Sequence, residues 1–492
     1  MLFNSVDFLI FFPIVVLVFF LVPARLRCFW LLAASYFFYM CWNVKYILLI
    51  LASTIVTWVC GRLMCRYGRW KKPLLVSCLV FNLGVLFFFK YFNFFLDTCG
   101  KVLGKLGLTL MEGHFDILLP VGISFYTFQA LSYTLDVYRG KTEPEKNFFR
   151  YALFVSFFPQ LVAGPIERSD RLLQQIVRME KRKLWNYERV TDGLMLMVWG
   201  LFQKMVIADR AAILVDTVFD NYFMYGTVAL AAGALGFALQ IYCDFASYST
   251  IATGAARVMG FELMENFNTP YFAVSIRDFW RRWHISLSTW FRDYLYIPLG
   301  GSRCWGGRKY ANLLITFTVS GLWHGAGWNF LAWGMLHGVY QIVGDLTGRI
   351  RMDINRRLKT RTESFSYRML QTVVTFLLVD LAWIFFRADG VRAALEYCTR
   401  MVVKWDPWSL FNGEIYTLGL ERPEFNILLA GVAVLFLVDL IRNKKNQSFS
   451  GFLAEQCIWF RWGVLLAVMW ATLVFGIYGI QFSSSQFIYF QF

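Results

Sequence analysis

Four histidines, His114, His284, His324 and His337, are the residues of this chain best suited to proton transfer near neutral pH. His114 falls in the predicted outside loop 97–116 and is expected to be a solvated loop residue. The other three lie in or beside long apolar runs. An ionisable side chain inside a membrane is costly and often marks a functional site, although a buried histidine can also be satisfied by a carbonyl. Taken singly, none of the three decides between these interpretations.

The surroundings of His324 favour a chemical role. The residue stands in the sequence Ser320-Gly-Leu-Trp-His-Gly-Ala-Gly-Trp, where the glycines let a backbone or a substrate approach closely. Packing between helices would explain the glycines but not the histidine. A neutral imidazole in this place can accept a proton from a hydroxyl or thiol nucleophile and later return it. Acyl transfer needs that chemistry.

Signatures of several other reactions do not occur in the sequence. There is no G-x-S-x-G, H-E-x-x-H or G-x-x-x-x-G-K-[ST] motif. The ten cysteines include no C-x-x-C spacing, so we predict neither a metal site nor a disulfide framework. Asp244 and Asp380 fall in apolar runs, where each could orient a histidine, carry protons or pair with an arginine.

The composition places these residues in a membrane protein. Hydrophobic residues make up 58% of the 492 positions and charged residues 16%, and the mean hydropathy is +0.51. A soluble, disordered or collagen-like chain is excluded, because too few polar residues exist to cover a surface. The net charge of +16 comes from basic residues in short loops between apolar runs. That distribution is typical of cytoplasmic loops and does not favour nucleic-acid binding.

The basic clusters predict an all-α, polytopic fold with one domain over residues 1–492 and roughly 11–13 membrane segments. The apolar run 8–22 is followed by Arg25 and Arg27 with no basic residue before it. We therefore interpret it as a retained first span with its N-terminus outside, not as a signal peptide. The run 151–163 is short for a span and is predicted to be re-entrant or in-plane. The remaining predicted spans are 28–41, 46–60, 74–96, 117–137, 191–207, 228–247, 311–328, 329–347, 370–386, 425–441 and 457–480.

Residues 270–300 form a further exception among the predicted segments. They alternate aromatic with basic side chains, such as Trp280, Arg281, Arg282 and Trp283. A lipid-facing span would not carry so many arginines. The pattern predicts an in-plane amphipathic segment at the cytoplasmic interface, or the lining of a water-filled cavity.

Several of these segments resemble the membrane-bound O-acyltransferase family, in particular its bacterial alginate O-acetyltransferase branch. The most specific match is Phe279-Trp-Arg-Arg-Trp-His284-Ile-Ser-Leu-Ser-Thr-Trp-Phe-Arg-Asp-Tyr-Leu-Tyr-Ile-Pro-Leu-Gly-Gly, and Gly321-Leu-Trp-His324-Gly-Ala also fits. Further matches lie at Pro120-Val-Gly-Ile-Ser-Phe-Tyr-Thr-Phe-Gln, Phe158-Pro-Gln-Leu-Val-Ala-Gly-Pro and Tyr242-Cys-Asp-Phe-Ala-Ser-Tyr-Ser.

The resemblance implies a ring of helices around a thinned centre and a cytosolic acyl thioester as donor, either acetyl-CoA or an acyl-carrier protein, with no bound cofactor. His324 matches the family's catalytic histidine, and His284 matches its second signature histidine. Arg281, Arg282 and Trp283 would frame the donor entrance, and Asp244 is included as a substrate-binding candidate. The branch usually acts with an extracytoplasmic esterase-fold partner on a polysaccharide.

The sequence also departs from the family pattern. Ala246 and Ser247 replace the common Ser-Gly, and Thr250 stands where an aspartate is common, which puts a carboxylate role there in doubt. Asp278 replaces the usual glutamate before the His284 motif. Neither catalytic candidate is affected.

The resulting hypothesis is a multi-pass plasma-membrane (inner-membrane) enzyme that O-acetylates a cell-envelope or secreted polysaccharide. His324 would act as general base or as transient acyl acceptor, and His284 would assist it. Two alternatives stay open: a D-alanyl transferase for teichoic acid within the same family, and a transporter or flippase of a lipid-linked sugar.

Overall fold

The computed structural model describes residues 1–107, 119–181, 185–445 and 447–478. Those residues fold into helices and connecting turns, with no β-strand among them, so the all-α prediction is confirmed. His114, predicted to lie in a solvated loop, is outside the described residues.

The chain divides into two compact units, which are considered separately. The first comprises residues 1–194 and 252–264, and the second comprises residues 195–251 and 265–492. The early helices, all in the first unit, are α1 Val6–Leu21, α2 Arg27–Met40, α3 Ile47–Arg66, α4 Lys71–Leu86, α5 Phe92–Lys105, α6 Ile123–Tyr138, α7 Phe148–Ser156 and α8 Gln174–Arg178.

The remaining helices belong to the second unit, except that α9 and α11 each contribute residues to both units. They are α9 Tyr187–Phe202, α10 Asp209–Asp220, α11 Thr227–Val258, α12 Ile276–Arg282, α13 Ile285–Phe291, α14 Gly306–His324, α15 Trp328–Leu346, α16 Gly348–Arg357, α17 Phe365–Arg387, α18 Val391–Val403, α19 Arg422–Lys445, α20 Phe449–Ala454 and α21 Ile458–Phe475.

Within the part of the chain that the structure describes, seven helical runs are long and apolar enough to cross a membrane. An α-helix rises about 1.5 Å per residue, so that about 20 residues cover a hydrocarbon core of about 30 Å. The chain is therefore a multi-pass membrane protein, as its composition predicts. The seven runs are Val44–Arg66, Gly68–Lys105, Tyr187–Asp220, Thr227–Val258, Phe365–Arg387, Arg422–Lys445 and Ile458–Phe475.

Two segments predicted not to cross the membrane contain only short helices. The nine residues of α7 extend over about 14 Å, and the seven residues of α12 or of α13 over about 10 Å. None of these helices is long enough to span a bilayer. The in-plane or re-entrant placement of 151–163 and 270–300 stays a prediction.

Close packing of α14 against α15 fixes the end of α14, where His324 lies. A Cβ atom added to Gly321 would lie 2.2 Å from the carbonyl oxygen of Phe330, and one added to Gly334 would lie 2.3 Å from that of Phe317. Only glycine fits at such contacts, which lets the two backbones meet. The sequence predicted that either a backbone or a substrate approaches closely beside His324. At Gly321 the structure places the backbone of a neighbouring helix.

Candidate active site

His324 is the last residue of α14, and its imidazole is oriented by its own helix. Its Nδ1 atom lies 2.7 Å from the carbonyl oxygen of Ser320, one turn earlier. A carbonyl oxygen can only accept a hydrogen bond, so Nδ1 carries the proton. In the neutral ring Nε2 then keeps its lone pair, and it is the atom able to take a proton from a substrate.

His284 joins α12 to α13 in an unusual backbone conformation. Its φ of 42° and ψ of 55° lie in the left-handed region, which non-glycine residues rarely adopt. Asn266 stabilises the start of α13 from outside: its carbonyl oxygen accepts from Ile285 N at 3.0 Å, and its Oδ1 accepts from Ser286 Oγ at 2.6 Å. Strain of this kind costs on the order of 1–3 kcal/mol and clusters at functional sites.

The two rings meet although 40 positions separate them in the sequence. The ring centroids of His284 and His324 are 6.4 Å apart, with the planes nearly perpendicular. His284 is fully buried and His324 is 4% exposed. Burial, followed by the nearby ring of His324, lowers the pKa of His284 well below its ordinary value. The ring of His284 is therefore neutral at physiological pH and can take part in proton transfer only as the free imidazole.

Aromatic rings surround the histidine pair. Trp333 lies 4.8 Å and Trp323 lies 5.0 Å from the ring of His324, centroid to centroid, while Phe386 lies 5.8 Å away. Phe245 packs edge-on against His284 at 4.6 Å. Such walls exclude water, and the exclusion strengthens electrostatic interactions with a reacting group.

His337, the third histidine considered, makes a structural contact. Its Nδ1 accepts a hydrogen bond of 3.3 Å from the indole Nε1 of Trp280. Its ring is fully buried and stacks on Phe279 with an interplanar angle of 5°. This residue links α15 to α12, the helix that leads into His284.

The three predicted donor-entrance residues occupy different environments. Trp283 is 1% exposed and packs against Phe267 at 4.9 Å and Trp383 at 5.0 Å, which makes it part of the core. Arg282 pairs with Asp278 at 3.0 Å and donates to Asn443 at 2.8 Å. Arg281 is exposed. Trp283 and Arg282 therefore contribute packing and polar contacts around α12, Arg282 being partly exposed, and Arg281 is the exposed residue of the three.

Asp244, the fourth predicted binding residue, belongs to a buried ionic cluster. Lys204 Nζ lies 2.5 Å from Asp244 and 2.9 Å from Asp209, and the three side chains are 4–6% exposed. The lysine occupies an irregular π-helical stretch, Gln203–Ala208. The sequence reasoning missed Lys204, although a single lysine inside the predicted span 191–207 was a usable signal. Asp380, the other carboxylate considered, is buried in α17.

Both the family model and individual relatives relate this chain to O-acyltransferases. Residues 145–378, which include both histidines of the pair, match the family model of the membrane-bound O-acyltransferase family. The chain is 39% identical to the probable alginate O-acetylase AlgI of Pseudomonas aeruginosa, over 91% of this chain and 83% of that protein. It is 36% identical to the peptidoglycan O-acetyltransferase of Helicobacter pylori, over 76% and 73% respectively. A teichoic acid D-alanyltransferase of Bacillus subtilis is 28% identical over 44% of this chain and 57% of its own length.

Proposed function

We propose polysaccharide O-acetylation as the reaction of this chain, which belongs to the membrane-bound O-acyltransferase family. Family membership makes it an acyltransferase. Two similar proteins are named for O-acetylation of alginate or peptidoglycan, and both acceptors are polymers outside the plasma membrane. An acetyl group and an envelope or secreted polysaccharide are therefore the proposed cargo and acceptor.

The observation that carries this proposal is the pairing of His324 with His284. With Nδ1 of His324 donating to Ser320, Nε2 can take the proton of an acceptor hydroxyl. The freed oxygen then attacks the thioester carbonyl, the C–S bond breaks, and the departing thiolate recovers the proton. Alternatively Nε2 attacks the thioester carbonyl itself, the C–S bond breaks and the thiolate leaves. The acetyl group then passes from Nε2 to an acceptor hydroxyl, whose proton neutralises the thiolate. In both routes the same nitrogen reacts.

His284 is proposed to assist by contact with the reacting group. Its ring is neutral and lies beside that of His324, so it can accept a proton or orient the thioester. The backbone of His284 lies in the strained left-handed region, and strain of this kind clusters at functional sites, which supports a role in the reaction.

The direction of transfer follows from the charge pattern. Positive loops mark the cytoplasmic side, which puts the N-terminus outside the plasma (inner) membrane and the donor, acetyl-CoA or an acyl-carrier protein, inside. A separate extracytoplasmic esterase-fold protein is the proposed partner that completes transfer to the polysaccharide.

The two rival functions are less well supported. Two teichoic acid D-alanyltransferases match this chain at 28% identity over 44% and 60% of its length, less than the relatives named for O-acetylation do, so D-alanyl transfer is the second choice. None of the similar proteins described above is named as a flippase, whereas two of them are named for O-acetylation.

Reconstitution tests the proposal. The full chain in liposomes receives acetyl-CoA labelled in the acetyl group, with D-alanyl carrier protein and lipid-linked sugar in parallel samples. We expect acetyl-CoA consumption that His324→Ala abolishes. Sugar movement without thioester loss would identify a flippase, and consumption of D-alanyl thioester alone would identify the D-alanyl transferase. Glycan mass spectrometry of a deletion strain then names the acceptor.

A further inference from the structure

A large cavity in the second unit lies among α12, α15, α16 and α17, and its lining residues include neither His284 nor His324. Its volume is about 860 Å³, within the range of ligand-binding pockets. The walls combine valine and leucine side chains with the two arginines Arg277 and Arg351. We propose that this cavity binds an anionic glycerophospholipid of the membrane.

Apolar side chains that line the cavity are also exposed on the surface of the protein. Val339, Val343, Leu370 and Val374 line the cavity and expose between 43% and 59% of their surfaces. Leu370 and Val374 belong to α17, one of the runs long and apolar enough to cross a membrane. Outward-facing apolar residues of a membrane span contact acyl chains. The walls therefore suit a lipid tail.

The charge at the cavity suits a phosphate. Asp345 also lines it, but Lys309 neutralises this carboxylate at 2.5 Å, and Arg277 lies 3.3 Å from it. Arg351 donates to the carbonyl oxygen of Gly344 at 2.7 Å, which uses one of the five N–H groups of its guanidinium. The three cations Lys309, Arg277 and Arg351 and the one carboxylate of Asp345 give this end of the cavity a net charge of +2. That charge is complementary to an anionic headgroup.

The neighbouring helix α16 has the pattern of an interfacial helix. Ile350, Ile354 and Leu358, the residue directly after the helix, recur every four residues and are 48–71% exposed. Arg349, Arg351, Arg356 and Arg357 fill other positions. A short basic helix with exposed apolar residues lies at the headgroup level of a membrane. This placement brings Arg351 to the depth of lipid phosphates.

Glycines leave room in the cavity. A Cβ atom added to Gly344 or Gly348 would meet nothing within 4 Å. Gly344→Trp therefore fills the cavity without a backbone clash. Gly463→Trp is the matched control, because Gly463 is also in a helix with nothing within 4 Å of its added Cβ, and it lies in α21 away from the cavity.

Lipid binding to the purified full chain tests the proposal. The probes are phosphatidylglycerol, phosphatidylcholine, glycerol 3-phosphate and coenzyme A, each titrated while the thermal transition and the retained mass in native mass spectrometry are recorded. We expect one phosphatidylglycerol to bind in preference to phosphatidylcholine. Arg351→Gln should weaken binding about fivefold and the Arg277→Gln, Arg351→Gln double variant about 25-fold, since one direct, partly exposed ion pair with the phosphate contributes up to about fivefold. Gly344→Trp should abolish it.

The electrostatic control is Arg349→Gln. It removes the same charge two positions from Arg351, but Arg349 does not line the cavity, so this variant should bind phosphatidylglycerol as the wild type does. Equal losses in Arg349→Gln and Arg351→Gln would overturn the proposal, as would equal binding of phosphatidylcholine. A rise of the thermal transition with glycerol 3-phosphate and not with phosphatidylglycerol would overturn the proposal in favour of a site for free phosphates. A rise with coenzyme A alone would overturn it in favour of a donor site. Thioester turnover in reconstituted protein is measured separately, so a failed lipid site leaves the proposed function intact.

Discussion

The Nδ1 atom of His324 donates to the carbonyl oxygen of Ser320 across one turn of the same helix, at 2.7 Å. This bond fixes both the ring direction and the tautomer, because the acceptor is a carbonyl. In this neutral tautomer the lone pair of the ring is on Nε2. The base of the proposed reaction is thus defined at the level of a single atom.

His324→Asn should separate the ring's chemistry from its structural bond. The shorter amide has an N–H group that can replace the Nδ1 donor, but it has nothing in the place of Nε2. We expect acyl transfer to fall by about 10²–10⁴-fold, the range for loss of a general base, with little change in thermal stability. The measurement is the initial rate of thioester consumption beside a melting curve. Near-normal turnover would remove His324 from the mechanism.

His284→Asn should test the second imidazole at constant backbone conformation. Asparagine tolerates the left-handed region, whereas a β-branched residue does not. We expect the Asn variant to fold and to lose about 10²-fold in activity, and His284→Val to lower the melting temperature as well. A fully active, stable Asn variant would show that His284 serves the fold alone.

Lys204→Met should destabilise the second unit by removing the cation of a buried cluster. Asp244 and Asp209 would both lose the ammonium group that each of them contacts. Breaking a buried ion pair costs on the order of 3–5 kcal/mol. The melting temperature of the variant should fall, and combining it with Asp209→Asn and Asp244→Asn should restore much of the loss.

The same triple variant tests the binding role predicted for Asp244. If the cluster is structural, turnover returns together with stability. If Asp244 binds substrate, the triple variant will be stable but show a raised KM. The two readouts therefore distinguish the alternatives.

Glu167→Gln should remove a pH dependence of stability. This fully buried carboxyl lies outside the spanning helices, and burial raises its pKa to about 7 from 4.5, against the opposing effects of the Met264 N–H and Arg171. The folded protein therefore holds a proton that the unfolded chain loses above about 4.5. Stability should decline as pH rises from about 4.5 to about 7 and then level off, by about 3 kcal/mol.

Melting curves across that pH range check the prediction. The Gln side chain resembles the protonated carboxyl, so the variant should lack the Glu167 contribution to the slope. The control is Glu188→Gln, at an exposed glutamate of α9, and this variant should show the same decline of stability with pH as the wild type. A slope unchanged in Glu167→Gln would contradict a protonated Glu167.

The sequence by itself determined the fold class and the two candidate histidines. Long apolar runs can hydrogen-bond their backbones in lipid only as helices, so an all-α membrane protein followed from composition. An imidazole is rare and costly inside such runs, which left His284, His324 and His337 as candidates. The glycines beside His324 and the family resemblance of both motifs then favoured His284 and His324.

Only the tertiary structure decided which residues meet. Nothing local in the sequence brings residue 284 to 6.4 Å from residue 324, because that contact depends on how the junction between α12 and α13 lies against the end of α14. The same holds for Asp244, whose partner Lys204 lies 40 positions away, and for Trp283, which packing placed in the core. Side-chain type sets what a residue can do, but the packing of distant helices sets the partners with which it does so.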